Sequence, residues 1–191
     1  LVATVASVQF ARAGHFRWAL FWPFAVLAPP MAFVGGWLQL PTHWFQLLIG
    51  AVLLYSAVQL VVKPAVKQAI SSPALPVAMF GGAAIGLLSG LTGTGGGIFL
   101  TPLLLLMGWA APKNAAAVSA LFILVNSAAG LAGWLASGQP WPALPLWALL
   151  LAAGGGGAIG ATLGSRVFEP VWIKRLLAAV LVIAGLKLLV F

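Results

Sequence analysis

GLLSGLTGTGGGIFLTPLLLLMG, Gly86 to Gly108, decides how the rest of the chain is read. The stretch is apolar enough for a bilayer, yet four of the five positions from Gly93 to Gly97 are glycine and Pro102 follows. Each Gly costs a helix interior up to about 1 kcal/mol relative to Ala, and Pro about 3 kcal/mol. In lipid, a broken helix is tolerated only where the freed N–H and C=O groups face protein or a wet cavity. The stretch therefore reads as an interrupted transmembrane helix, the element on which many secondary transporters bind their substrates.

Composition supports the membrane setting. The chain is 63% hydrophobic and 5% charged, with a mean hydropathy of +1.14. A soluble domain carries about 25% charged residues. The apolar runs are continuous rather than alternating, and far longer than the roughly ten residues of a barrel strand. The fold class is thus all-α, a polytopic transmembrane helical bundle. The net charge of +8 comes from nine Lys and Arg against one acid, Glu169. The basic residues stand singly between apolar runs, so they read as flanks that orient helices and meet lipid headgroups, not as a nucleic-acid patch.

The absences exclude further classes. No Asp or Glu lies within a span, which leaves a cation path without its usual ligand. There is no HExxH, no paired carboxylate and no Cys, so neither an enzyme nor a cofactor or metal site is expected. His15 and His43 sit beside aromatics at span ends without a second ligand at metal spacing, and read as interfacial.

Outward from the glycine stretch, the spans are read in order. Leu1 to Ala11 is about half a span, ended by Arg12, His15 and Arg17. Trp18 to Leu38 follows, with a kink expected at Pro29-Pro30. Trp44 to Val62 is next, and the loop from Lys63 to Pro76 divides the chain. Then come Val77 to Leu91, the break, Phe99 to Met107, Ala115 to Leu135, Leu144 to Leu163 and Val171 to Val190. Two homologous halves are expected, residues 1–68 and 69–191. GHFRW (Gly14–Trp18) and GQPW (Gly138–Trp141) each precede a glycine-bearing span, and the later LP…LL (Leu40, Pro41, Leu47, Leu48) parallels EP…LL (Glu169, Pro170, Leu176, Leu177). The first-half partner of the glycine break is expected upstream of Leu1. If the break is crossed as one span, the halves share an orientation; if it is a re-entrant hairpin, they are inverted. Lys and Arg counts in alternate loops are nearly equal, which leaves orientation undecided.

Gly82, Gly86 and Gly90, like Gly156, Gly160 and Gly164, recur every four residues, the spacing of close helix packing. Gly95 to Gly97 fill consecutive positions, which packing does not require. Glycine permits positive φ, and successive N–H groups then converge into an anion-attracting nest. The half-helix starting near Ile98 adds its positive end. The expected substrate site is accordingly Thr92, Gly93, Thr94, Gly95, Gly96, Gly97, Ile98, Thr101 and Pro102, with Ser119 and Asn126 from the next helix; a hinge and plain packing are the alternatives. Asn114 reads as a helix N-cap, Lys113 as a snorkelling flank, and Arg166, Glu169, Lys174 and Arg175 as an interfacial cluster that is also a candidate anion vestibule.

At these residues the chain resembles the sulfite exporter TauE/SafE family of membrane transporters. The likeness rests on GLLSGLTGTGGGIFLTPLLLLMGWAAPKNAAAVSALFILVNS, Gly86 to Ser127, and on Thr4 to Val62, which is similar to the rest of that family's N-terminal repeat. The motif positions here are Gly93, Gly95, Gly96, Gly97 and Pro102; the family's first-half glycine motif is not in this sequence. The resemblance implies two homologous halves with roughly eight spans, and transport of sulfite, sulfonates or other small organic anions. The resulting expectation is an integral protein of the bacterial inner membrane that moves a small anion by alternating access. Its partners would be the anion and membrane lipid, with homo-oligomers left open. An anion channel and a non-transporting scaffold are the alternatives.

Overall fold

The computed structural model describes residues 2–38, 43–62, 71–138 and 146–190. Every regular element among them is helical: α1 Val2–Arg12, α2 Trp18–Ala25, α3 Ala28–Leu38, α4 His43–Val62, α5 Leu75–Thr92, α6 Gly97–Leu106, α7 Pro112–Ala136, α8 Leu146–Thr162 and α9 Pro170–Val190. A π turn, Leu163–Val167, continues α8. Among the described residues, α5 and α7 are each long and apolar enough to cross a membrane, and α2 with α3 makes a third such unit bent by 41°. Trp147, Leu151, Ile159 and Ile183 stand well exposed on α8 and α9. An apolar surface on that scale suits acyl chains and not water. This is an integral membrane protein.

The α2–α3 bend falls at Val26 and Leu27, ahead of the expected Pro29-Pro30. A proline ring collides with the carbonyl four residues back, so the helix opens before the prolines rather than at them. Pro29 and Pro30 then occupy the first turn of α3, where an N–H has no helical partner to lose. Asn114 also departs from expectation. The cap of α7 is Ala111 with Pro112 in the first turn, and Asn114 lies inside the helix. Its Nδ2 donates to the His15 carbonyl at 2.7 Å. The expected role of the turn Ser137 to Pro142 lies largely outside the described residues, as does most of the loop from Lys63 to Pro76.

Close contacts set the helix directions. Phe24 backs onto Gly82, Ala28 onto Gly86 and Ala32 onto Gly90, and a Cβ on any of these glycines would meet the facing carbonyl oxygen. Equal steps of four on both sides mean that α2–α3 and α5 run the same way. Only glycine allows backbones this near, which is the packing role the spacing of α5 predicts.

The break then turns the chain round. A Cβ on Gly96 would stand 3.1 Å from Ile85 Cγ2 and 3.3 Å from Ser89 Cβ. Ile85 lies about 12 Å back along α5 from Gly93 at 1.5 Å per residue, so the chain has doubled back by Gly96. It returns along α6 until Trp109 meets the ring of Phe24, centroids 6.1 Å apart. Helix α6 runs against α7, with Gly97 beside Ile123 and Thr101 bonded to Ser119. Thus α5 and α6 form a re-entrant hairpin, and α7 starts from the membrane face at which α5 starts.

That face also gathers the His15–Asn114 bond and the contact of Lys113 Nζ with the Ser165 carbonyl at 3.5 Å. Helix α1 ends on it beside α8, which runs parallel: Phe10 is 3.4 Å from the Cβ site of Gly164, and Thr162 Oγ1 donates to Gln9 Oε1 at 3.1 Å. Arg12, Arg17, Lys113, Arg166, Lys174 and Arg175 all belong to this end of the bundle, and we refer to it as the basic face. Lys187, near the end of α9, is the one basic residue at the opposite end among those described.

Candidate functional site

Helix α5 ends because Gly93 adopts the left-handed conformation, φ 68°. Gly95 and Gly96 follow at φ 72° and 80°, and α6 begins at Gly97. A side chain at these φ values costs roughly 1–2 kcal/mol, so glycine is what permits the reversal. The reversal also demands smallness. A Cβ on Gly95 would stand 2.7 Å from Ser127 Oγ and 2.8 Å from Ile123 Cγ2; one on Gly96 would stand 3.0 Å from Phe122; one on Gly97 would strike the end of Ile123. Gly95, Gly96 and Gly97 are buried, whereas Gly93 and Thr94 are exposed.

The depth follows from α7, along which Ile123 is nearly central: at 1.5 Å per residue it lies roughly 17 Å from Pro112 and 20 Å from Ala136. Gly95 to Gly97 thus sit at mid-height of a spanning helix, while Gly93, just past the Gly90–Gly130 contact, lies nearer its far end.

Its backbone donors are bare. The amides of Phe99 and Leu100 both reach the Gly96 carbonyl at 3.1 Å. Among the described residues, no acceptor meets the amides of Thr94, Gly95, Gly96, Gly97 or Ile98. Those of Gly97 and Ile98 are the ordinary orphans of a helix start. Those of Gly95 and Gly96 are buried polar groups of the kind that normally find partners. Together with the positive end of α6 they make a patch of partial positive charge.

The expected hydroxyls divide into two groups. Thr92 Oγ1 donates to the Leu88 carbonyl at 2.7 Å and lies 2.9 Å from Thr94 Oγ1, so Thr94 is the donor of that pair. Both stand at the exposed end of the reversal. Thr101 Oγ1 donates to Ser119 Oγ at 2.8 Å inside the α6–α7 contact, which leaves the Ser119 proton available. Pro102 is buried within α6, and Ile98 packs at the edge of the core. Asn126 is 1% exposed on α7, and among the described residues neither its Oδ1 nor its Nδ2 has a partner.

Sequence reasoning missed Ser89. It is 2% exposed, its Oγ has no partner among the described residues, and its Cβ faces Gly96. One signal was available, a lone polar residue one turn before Gly93 in an apolar span. A serine so placed usually satisfies itself on the carbonyl four residues back, which hides it. Ile123 and Phe122, the walls against which the glycines turn, carried no signal beyond apolarity.

An all-helical membrane bundle with a chain reversal at mid-height, bare amides at its turn and buried unpaired hydroxyl and carboxamide groups around it is the architecture of a membrane transporter. Comparison with known proteins names the family. Residues 1–188 match the family described as sulfite exporter TauE/SafE. The chain is 37% identical over 195 residues to the probable membrane transporter protein y4hK of Sinorhizobium fredii (strain NBRC 101917 / NGR234), covering 99% of this chain and 78% of that protein. The chain therefore belongs to the TauE/SafE family of membrane transporters. No solved structure matches it.

Proposed function

We propose that the protein carries a small oxyanion, a sulfite, sulfonate or related organic acid, across the bacterial inner membrane by alternating access. The anion is held by the amides of Thr94 to Ile98, with hydroxyls of Ser89 and Ser119 close by. The observation that carries this reading is the set of unpartnered amides on buried glycines at mid-height. Leaving such donors unmet costs about 1–3 kcal/mol each, and an anion meets several at once. Backbone donors also need no compensating side-chain charge, which suits a chain whose only acid, Glu169, lies at the membrane edge.

The helix directions support alternating access. Taken in order, α1, α2–α3 and α4 traverse the membrane in senses opposite to those of α7, α8 and α9, because the re-entrant hairpin between the two sets makes no net crossing. We read residues 1–68 and 69–191 as inverted repeats, whose rocking exposes a fixed central site to each side in turn. The basic face is the cytoplasmic one, since it holds six of the described Lys and Arg against one opposite, and such residues are retained inside. There they meet anionic headgroups and raise the local anion concentration over about 8 Å at 0.15 M salt.

The test is counterflow of labelled sulfite in proteoliposomes containing the full chain. A carrier accumulates label against unlabelled internal sulfite, whereas a channel only equilibrates it and a scaffold passes none. Gly96→Leu, which fills the turn, abolishes the flux; full counterflow by that variant removes the site.

A further inference from the structure

Three buried atoms beside the reversal have no partner among the described residues: Ser89 Oγ, Asn126 Nδ2 and Asn126 Oδ1. Their positions converge. Ser89 Cβ lies 3.3 Å from the Cβ site of Gly96, where Phe122 also arrives. Asn126 is one helical turn beyond Phe122 and one turn before Gly130, whose Cβ site lies 3.6 Å from Gly90 Cα. Asn126 thus occupies the α7 face that looks onto the end of α5 and the turn.

The chemistry of these groups is not uniform. The amides of Thr94 to Ile98 can only donate, and the hydroxyls of Ser89 and Ser119 donate readily. All of these call for acceptor oxygens. A buried carboxamide always presents one acceptor as well as its donors, whichever way round it is turned. Asn126 Oδ1 therefore calls for a donor, and no protein donor reaches it among the described residues. A ligand with oxygen lone pairs only would satisfy the amides, leave Oδ1 bare and set lone pair against lone pair.

We propose that the site selects a singly charged oxyanion that carries its own hydrogen-bond donor, a hydroxyl or N–H. Asn126 Oδ1 accepts from that donor, while the amides and Ser89 hold the anionic oxygens. The donor hydrogen crosses the membrane as part of the cargo, and no side chain of the site has to change its protonation. This rests on the anion reading above and adds Asn126 as the residue that sets specificity.

The experiment uses two sulfonates of equal charge that differ in one hydroxyl, methanesulfonate and hydroxymethanesulfonate, titrated calorimetrically into the full chain in detergent. Hydroxymethanesulfonate should bind at least about tenfold more tightly, because a site built for a donor discriminates strongly against an analogue that lacks it. Asn126→Leu should erase that preference, bringing the two sulfonates to equal affinity. Ser89→Ala should weaken both anions by the same factor. Equal affinities in the unmodified protein overturn the proposal, whether or not the variants fold. So does a preference that survives in a folded Asn126→Leu, since a trapped water would then be what meets Oδ1. Failure of both sulfonates and of sulfite to bind overturns the anion reading as well, whereas equal binding of the two sulfonates overturns the donor requirement alone.

Discussion

Placing a methyl group on each of two glycines three residues apart separates the two demands that the reversal makes. Gly93 and Gly96 both have positive φ, 68° and 80°, so an alanine at either costs roughly 1–2 kcal/mol in backbone strain. At Gly93 nothing lies within 4 Å of the new methyl. At Gly96 it would stand 3.0 Å from Phe122 Cε1, 3.1 Å from Ile85 Cγ2 and 3.3 Å from Ser89 Cβ. Overpacking of that kind adds about 1–3 kcal/mol. Gly93→Ala should therefore lose about 1–2 kcal/mol and Gly96→Ala about 2–5 kcal/mol. Thermal unfolding in one detergent reads the difference, at roughly 2–4 °C per kcal/mol for a chain of this size. Phe122→Leu, which withdraws the nearest ring, should recover part of the Gly96→Ala loss and none of the Gly93→Ala loss. Equal losses at the two positions, or rescue of both, would refute the packed reversal on which the site depends.

Three further outcomes follow from the fold. Asn114→Ala should cost about 0.5–1.5 kcal/mol by removing the 2.7 Å donation to His15, and Asn114→Asp should be no better because a carboxylate cannot donate; an Asp as stable as Asn would restore the N-cap reading. Gly86→Ala should destabilise the protein by several kcal/mol, since its methyl meets the Ala28 backbone, whereas Gly160→Ala, with nothing within 4 Å, should be neutral or gain up to about 1 kcal/mol of helix propensity; equal effects in thermal melts would contradict the α3–α5 contact. The chain has no cysteine, so single cysteines report sidedness. An impermeant maleimide added to intact cells should label Ala136→Cys and spare Arg166→Cys, and the reverse pattern would invert the assigned orientation.

The membrane class and the position of the break were legible in the sequence because both depend on local chemistry. Long apolar runs with one acid need a bilayer, and consecutive glycines need positive φ or tight surroundings. The direction of the chain after the break was not legible. Gly93 to Gly97 permit either a continuing span or a reversal, and Ile85 and Ser89 meeting Gly96 across α5 decides between them. Orientation was hidden for the same reason: counting the break as one crossing puts Lys113, Arg166, Lys174 and Arg175 on the face opposite Arg12 and Arg17, and the hairpin brings the two groups together. The proline bend was displaced because the steric conflict of Pro29 and Pro30 lies one turn upstream of the rings. Asn114 was misread because Pro112 and the carbonyl of His15, distant in sequence, take over the roles that local capping rules assign to it.

Backbone amides in the turn, and not an ionisable side chain, are proposed to grip the anion. Selective ¹⁵N labelling of glycine in the full chain tests it directly, by following amide resonances as sulfite is titrated. Saturable downfield shifts of the Gly95, Gly96 and Gly97 N–H signals are expected at the concentration that half-saturates transport, with Gly156 and Gly160 unmoved. Saturable binding or flux that leaves those three resonances in place would contradict it.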